Sequence, residues 1–136
     1  MLANVGAIVD QLADALKALD LLRSKPFSIF GHSFGAMIAF ELTRLLSTKH
    51  SVSPVHLFLS GKRACNLPFT GKVISKLARD ELVEHLVELG GIPPELVEQA
   101  ALLDYFLPTV RGDYGVYEQY EYSEEKGRTS HTQSHA

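Results

Sequence analysis

The residues best placed to do chemistry are Gly31-His32-Ser33-Phe34-Gly35. Gly-x-Ser-x-Gly is the spacing of a nucleophile elbow, in which a serine sits on a sharp turn between a strand and a helix. The hydroxyl of Ser33 then projects, ready to attack an acyl carbon. The start of the helix supplies backbone N–H groups and a partial positive potential. The N–H of Phe34 is therefore the expected oxyanion donor, and such a donor contributes about 10²–10³ in rate. Gly31 and Gly35 are expected to leave room for the tight crossing. His32 adjoins the serine, and neighbouring side chains at an elbow point apart. It is expected to pack or hydrogen-bond behind the nucleophile rather than to serve as its base.

Because Gly and Ser are common residues, the five-residue pattern is weak evidence alone, and its meaning depends on the elements around it. Residues 1–23 read as a helix with Val5, Ile8, Val9, Leu12, Leu16 and Leu19 on one stripe. Ser24-Lys25-Pro26 ends it. Phe27-Ser28-Ile29-Phe30 reads as a short strand running into Gly31, and a helix follows from about Phe34 to Leu46. Ala36 and Ala39 let that helix approach a sheet closely. Ser47 to Pro54 reads as a loop and Val55-His56-Leu57-Phe58-Leu59 as a second strand. Short apolar strands separated by long helices predict parallel β/α units, an α/β fold.

The second half has a different character. Residues 62–76 read as irregular, and helix is expected from about Arg79 through Leu82, Leu86 and Leu89 to a stop at Gly90-Gly91. Pro93-Pro94 opens another helix, which Pro108 is expected to end or kink, with a last helix over about Val110 to Tyr120. The polar stretch 123–136 is expected to be a disordered tail.

Bulk properties exclude several functions. The 136 residues carry a net charge of −3 and no long basic block, which argues against nucleic acid as a partner. No apolar run approaches a bilayer span, and the N-terminus has no signal-peptide pattern, so a cytoplasmic location and no membrane association are expected. The single cysteine, Cys65, calls for no oxidising compartment. No base or metal spacing accompanies it, so a surface or packed thiol is expected rather than a nucleophile. His56 reads as a packed residue at the edge of a core. No metal site and no cofactor are expected.

The segment Phe27–Ala36, followed by Ala39-Phe40-Glu41-Leu42, resembles the type II thioesterases of non-ribosomal peptide and polyketide synthases, a family that includes the medium-chain thioesterase of fatty acid synthesis. Three further stretches agree in order: Val55–Ala64, Leu77 with Asp80-Glu81-Leu82 and Leu89–Pro93, and Leu107–Tyr114 with Glu118 and Tyr120. The resemblance covers about residues 5–122. It implies a partial α/β-hydrolase domain over residues 1–122, with a helical lid at about 77–121. It also implies hydrolysis of acyl or aminoacyl thioesters on the phosphopantetheine arm of an acyl- or peptidyl-carrier protein, through a serine acyl-enzyme and by a monomer.

The same resemblance marks what the chain lacks. The upstream glycine-rich oxyanion loop and the downstream triad aspartate and histidine have no counterpart here. Asp104, Asp113, His131 and His135 are not assigned those roles, so the chain is expected to be a fragment, weakly active or inactive alone and prone to aggregation. Lys62-Arg63 fits equally a carrier-protein contact and a solvated loop pair. Two rival readings stand beside the thioesterase: another serine esterase or lipase with the same elbow, and a non-catalytic fragment that binds a carrier protein.

Overall fold

A computed structural model describes residues 4–18 and 21–124. The elements are α1 (Val5–Ala18), α2 (Leu21–Ser24), β1 (Ser28–His32), α3 (Phe34–His50), β2 (His56–Ser60), α4 (Arg79–Glu88), α5 (Pro94–Val97) and α6 (Ala100–Glu118). They form two compact units. The first is built from the described residues up to 68 together with 121–124, and the second spans residues 69–120.

In the first unit β1 and β2 pair in parallel, with Ser28 opposite His56 and His32 opposite Ser60. A parallel pair needs a crossover, and α3 provides it. Asn4 starts α1 by accepting the N–H of Ala7 through its side chain at 2.9 Å. Val5, Val9 and Ala13 of α1 and Ala36, Met37, Ala39, Leu42 and Leu46 of α3 are buried. Small residues at 36 and 39 bring α3 close to the strands. Leu12, expected on the buried stripe of α1, is exposed, and Leu19 lies outside the described residues.

α3 runs four residues beyond the expected end at Leu46. The Ser47-Thr48-Lys49-His50 stretch reads as a loop because hydroxyl side chains compete for backbone groups. Here Thr48 Oγ1 donates within the helix to the Arg44 carbonyl at 2.8 Å. Lys49 and His50 complement the dipole of the last turn, and Ser51 closes it at φ 54° in the left-handed region. From the last described stretch, Tyr122 and Ser123 lie against α3. Arg44 donates to the Ser123 carbonyl, pairs with Glu41 at 2.7 Å, and lies 4.7 Å from the Tyr122 ring and 5.6 Å from that of Phe40. Ser123, expected in a disordered tail, is thus tied down; Glu124 is exposed, and residues 125–136 lie outside the described residues.

The second unit is a helical cluster around buried Ile74, Leu82, Val83, Leu86, Leu103 and Leu107. Glu81 accepts the Ala78 N–H at 3.1 Å at the start of α4, and Gly90, just past the other end of that helix, has φ 69°. The expected boundaries around Pro108 are corrected. The break falls earlier, at Gln99, whose φ of −96° and ψ of 68° are not helical, and α6 continues through Pro108 to Glu118. A proline inside a helix costs about 3 kcal/mol. Leu103, Leu107, Val110 and Tyr114 recur on one face of α6 and pack into the cluster, and this burial offsets the cost. Among the described residues, no helix is long and apolar enough to cross a membrane.

Candidate active site

Ser33 stands between the end of β1 and the first residue of α3, and it is exposed. Its φ of 53° and ψ of −118° lie where non-glycine residues rarely go. Such a conformation costs on the order of 1–3 kcal/mol and persists only where the surroundings over-determine it. Here the chain has to leave a strand and start a helix in one residue. The helix begins at once: Ala36 N–H donates to the Ser33 carbonyl at 3.1 Å. Phe34 is the first residue of α3, so its N–H lies in the first turn, beside the serine.

The two glycines of the motif differ. A Cβ on Gly31 would stand 2.3 Å from the Gly35 carbonyl oxygen and 2.7 Å from Ala36 Cα, both backbone atoms. The crossing of β1 and α3 is therefore possible only with glycine at 31. A Cβ on Gly35 meets nothing within 4 Å. The expectation that both glycines make room for the crossing is corrected to Gly31 alone.

His32 is exposed and turned towards the end of β2. Its Nδ1 lies 3.1 Å from Ser60 Oγ, and its ring lies beside Gly61. Ser60 also accepts the Ser33 N–H at its carbonyl oxygen, at 2.8 Å. The sequence reading missed Ser60 and Gly61. The signal was a glycine directly after an apolar strand, a position that often requires positive φ; Gly61 has φ 65°.

The remaining candidates lie elsewhere in the chain. Cys65 is buried, its thiol 4.0 Å from the Ala36 carbonyl. Burial pushes its pKa up, partly opposed by Lys62 and aided by Glu41, which suits a packed thiol and not a nucleophile. His56 is exposed and stacks on Phe58 with centroids 5.7 Å apart, so it is not the packed residue expected. Asp104 accepts from Arg79 Nε at 2.7 Å, and Asp113 is exposed. His131 and His135 lie outside the described residues. Lys62 is half-buried and Arg63 exposed. Among the described residues, no group of three or more His, Cys, Asp or Glu could hold a metal.

The family model "Thioesterase domain" matches residues 1–136. The chain is 39% identical over 126 residues to the linear gramicidin dehydrogenase LgrE of Brevibacillus parabrevis, covering 90% of the chain and 47% of that protein. It is 33% identical over 119 residues to the medium-chain S-acyl fatty acid synthase thioesterase of Rattus norvegicus, covering 86% of the chain and 44% of that protein. Among solved structures it is similar to RedJ, a thioesterase of prodiginine biosynthesis in Streptomyces coelicolor. That likeness has a TM-score of 0.79 at 31% identity and covers 89% of the chain and 46% of RedJ. The chain thus spans about half the length of the curated relatives it matches.

Proposed function

The chain belongs to the thioesterase domain family and has part of an α/β-hydrolase fold, and on that premise we propose that it is the nucleophile-bearing part of a carrier-protein thioesterase. The observation that carries the reading is Ser33, exposed at positive φ where β1 gives way to α3. Ser33 Oγ attacks the carbonyl carbon of an acyl or aminoacyl thioester. The N–H of Phe34 receives the negative charge that develops on the carbonyl oxygen. The C–S bond breaks, and the phosphopantetheine thiol leaves as a thiolate. Water then cleaves the acyl-serine ester, releasing the carboxylic acid and restoring the hydroxyl.

By this reading the triad acid and histidine come from polypeptide outside this chain. Without a base the hydroxyl stays protonated, and the chain alone is slow by several orders of magnitude. The whole protein acts as a cytoplasmic monomer on acyl- or peptidyl-carrier proteins of non-ribosomal peptide, polyketide or fatty acid synthesis. The relatives' names support that range: one is a fatty acid synthase thioesterase and another a thioesterase of prodiginine biosynthesis.

Reaction of the longer polypeptide with a fluorophosphonate, followed by peptide mapping, tests the assignment. The expected result is an adduct on Ser33 that Ser33→Ala abolishes. An adduct elsewhere, or one that survives in that variant, overturns it. Release of octanoate from an octanoyl-carrier protein by the longer polypeptide, lost in Ser33→Ala, tests the substrate class; labelling without release would favour another serine esterase.

A further inference from the structure

Three contacts converge on the elbow from the end of β2. The Ser60 carbonyl accepts the Ser33 N–H at 2.8 Å. Ser60 Oγ lies 3.1 Å from His32 Nδ1. Gly61, at φ 65°, lies so close to the His32 ring that a Cβ there would stand 2.5 Å from Cε1 and 3.0 Å from each ring nitrogen. The two residues that lead into α3 are thus each fixed to β2, His32 through its side chain and Ser33 through its backbone.

We propose that Ser60 and Gly61 are positioning residues for Ser33, and that the imidazole of His32 is the strut between them. The proposal rests on the reading of Ser33 as nucleophile. On the helix side Ser33 is tied through its backbone, its carbonyl accepting the Ala36 N–H at 3.1 Å, and it makes no side-chain cap to α3. Its strained φ and ψ are held from the strand side as well, and β2 is the neighbour there. Ser60 holds the serine amide directly and the preceding side chain through its hydroxyl. Gly61 does two things. Its left-handed backbone aims the Ser60 carbonyl, and its missing Cβ leaves room for the ring. Removing the Ser60 hydroxyl frees the imidazole to rotate. A methyl group at 61 pushes the imidazole away and strains the peptide that carries the carbonyl. Either change loosens the residue immediately before the nucleophile.

Amide hydrogen exchange by NMR on the full chain tests this in Ser60→Ala, Ser60→Thr and Gly61→Ala. The expected result is exchange of the Ser33 amide about tenfold faster in Ser60→Ala, with Phe30 and Leu42 amides and the thermal midpoint unchanged. Ser60→Thr, which keeps the hydroxyl, restores protection. Fluorophosphonate labelling of Ser33, followed in the longer polypeptide that carries the base, slows in parallel and recovers in the threonine variant. Unchanged exchange in Ser60→Ala, or faster exchange with unchanged labelling, overturns the proposal. If the wild type labels somewhere other than Ser33, the nucleophile reading fails, while the exchange data still decide whether β2 holds the turn. Should Gly61→Ala fail to fold, the alanine and threonine variants at 60 carry the test.

Discussion

Steric room at single atoms separates the glycines of the elbow. The Cβ of Gly31→Ala would meet backbone of Gly35 and Ala36, which cannot move aside like a side-chain tip. The expected cost is about 3 kcal/mol, at the upper end for overpacking. Gly35→Ala meets open space in the first turn of α3 and is expected to stabilise by about 0.5–1 kcal/mol. Urea titration of both variants checks this, and equal losses would contradict it. The motif was legible in the sequence, but this inequality was not, because both glycines have the same letter and only the crossing distance tells them apart.

Cys65 gives a second test at the same scale. Burial raises its pKa in the folded chain, so the unfolded chain releases the thiol proton first. The stability from the protonated thiol is fully present below the unfolded thiol's pKa, about 8.5. It is lost as pH rises from there through the folded value. Stability is expected to fall above that range, and Cys65→Ala is expected to remove this part of the slope. Iodoacetamide should react slowly with the native chain and quickly in urea. Fast native alkylation would show the thiol to be accessible.

Elements were legible where period and punctuation agreed, and obscure where long-range contacts decided. Gly90-Gly91 marked the end of α4, and Ser24-Lys25-Pro26 preceded β1, because each breaks a helix by its own backbone chemistry. Pro108 misled because propensity is local, whereas α6 is held by Leu103 and Leu107 before it and by Val110 and Tyr114 after it. The clamp at the end of α6 was not legible at all. The Glu118 carboxylate accepts the backbone N–H groups of Ile74 and Ser75 and the Ser75 hydroxyl, and Arg111 donates to the Ser75 carbonyl at 2.8 Å. The partners are 36 to 44 residues apart along the chain, so no short window of sequence contains both. Hydrogen bonds to a charged group contribute about 1.5–3 kcal/mol, so Glu118→Ala is expected to destabilise the helical unit by about 2 kcal/mol. Faster exchange of the Ile74 and Ser75 amides, with β1 and β2 unchanged, is the expected reading. Loss of protection in the strands as well would mean that the two units unfold together.

At the largest scale, the decisive feature is a sheet face with little over it among the described residues. Side chains alternate along a strand, so Phe30 and Phe58, directly opposite in register, share one face, while Gly31 lies against α3 on the other. Phe30 is 68% and Phe58 53% exposed. Parallel sheets are normally covered on both sides, and a two-stranded pair also leaves hydrogen-bonding edges open. Two exposed aromatic rings beside open edges form a surface that promotes association. A net charge of −3 opposes this only weakly. The isolated chain is therefore expected to self-associate as its concentration rises, although the whole protein is proposed to be a monomer. Phe30→Lys with Phe58→Lys should return the chain to single copies of 15.0 kDa. Because both side chains are largely in water already, the thermal midpoint should change little. Light scattering across a dilution series distinguishes the cases. A wild-type chain that stays single at every concentration would mean that this face does not drive association, and a double variant that unfolds would mean that the rings support the core.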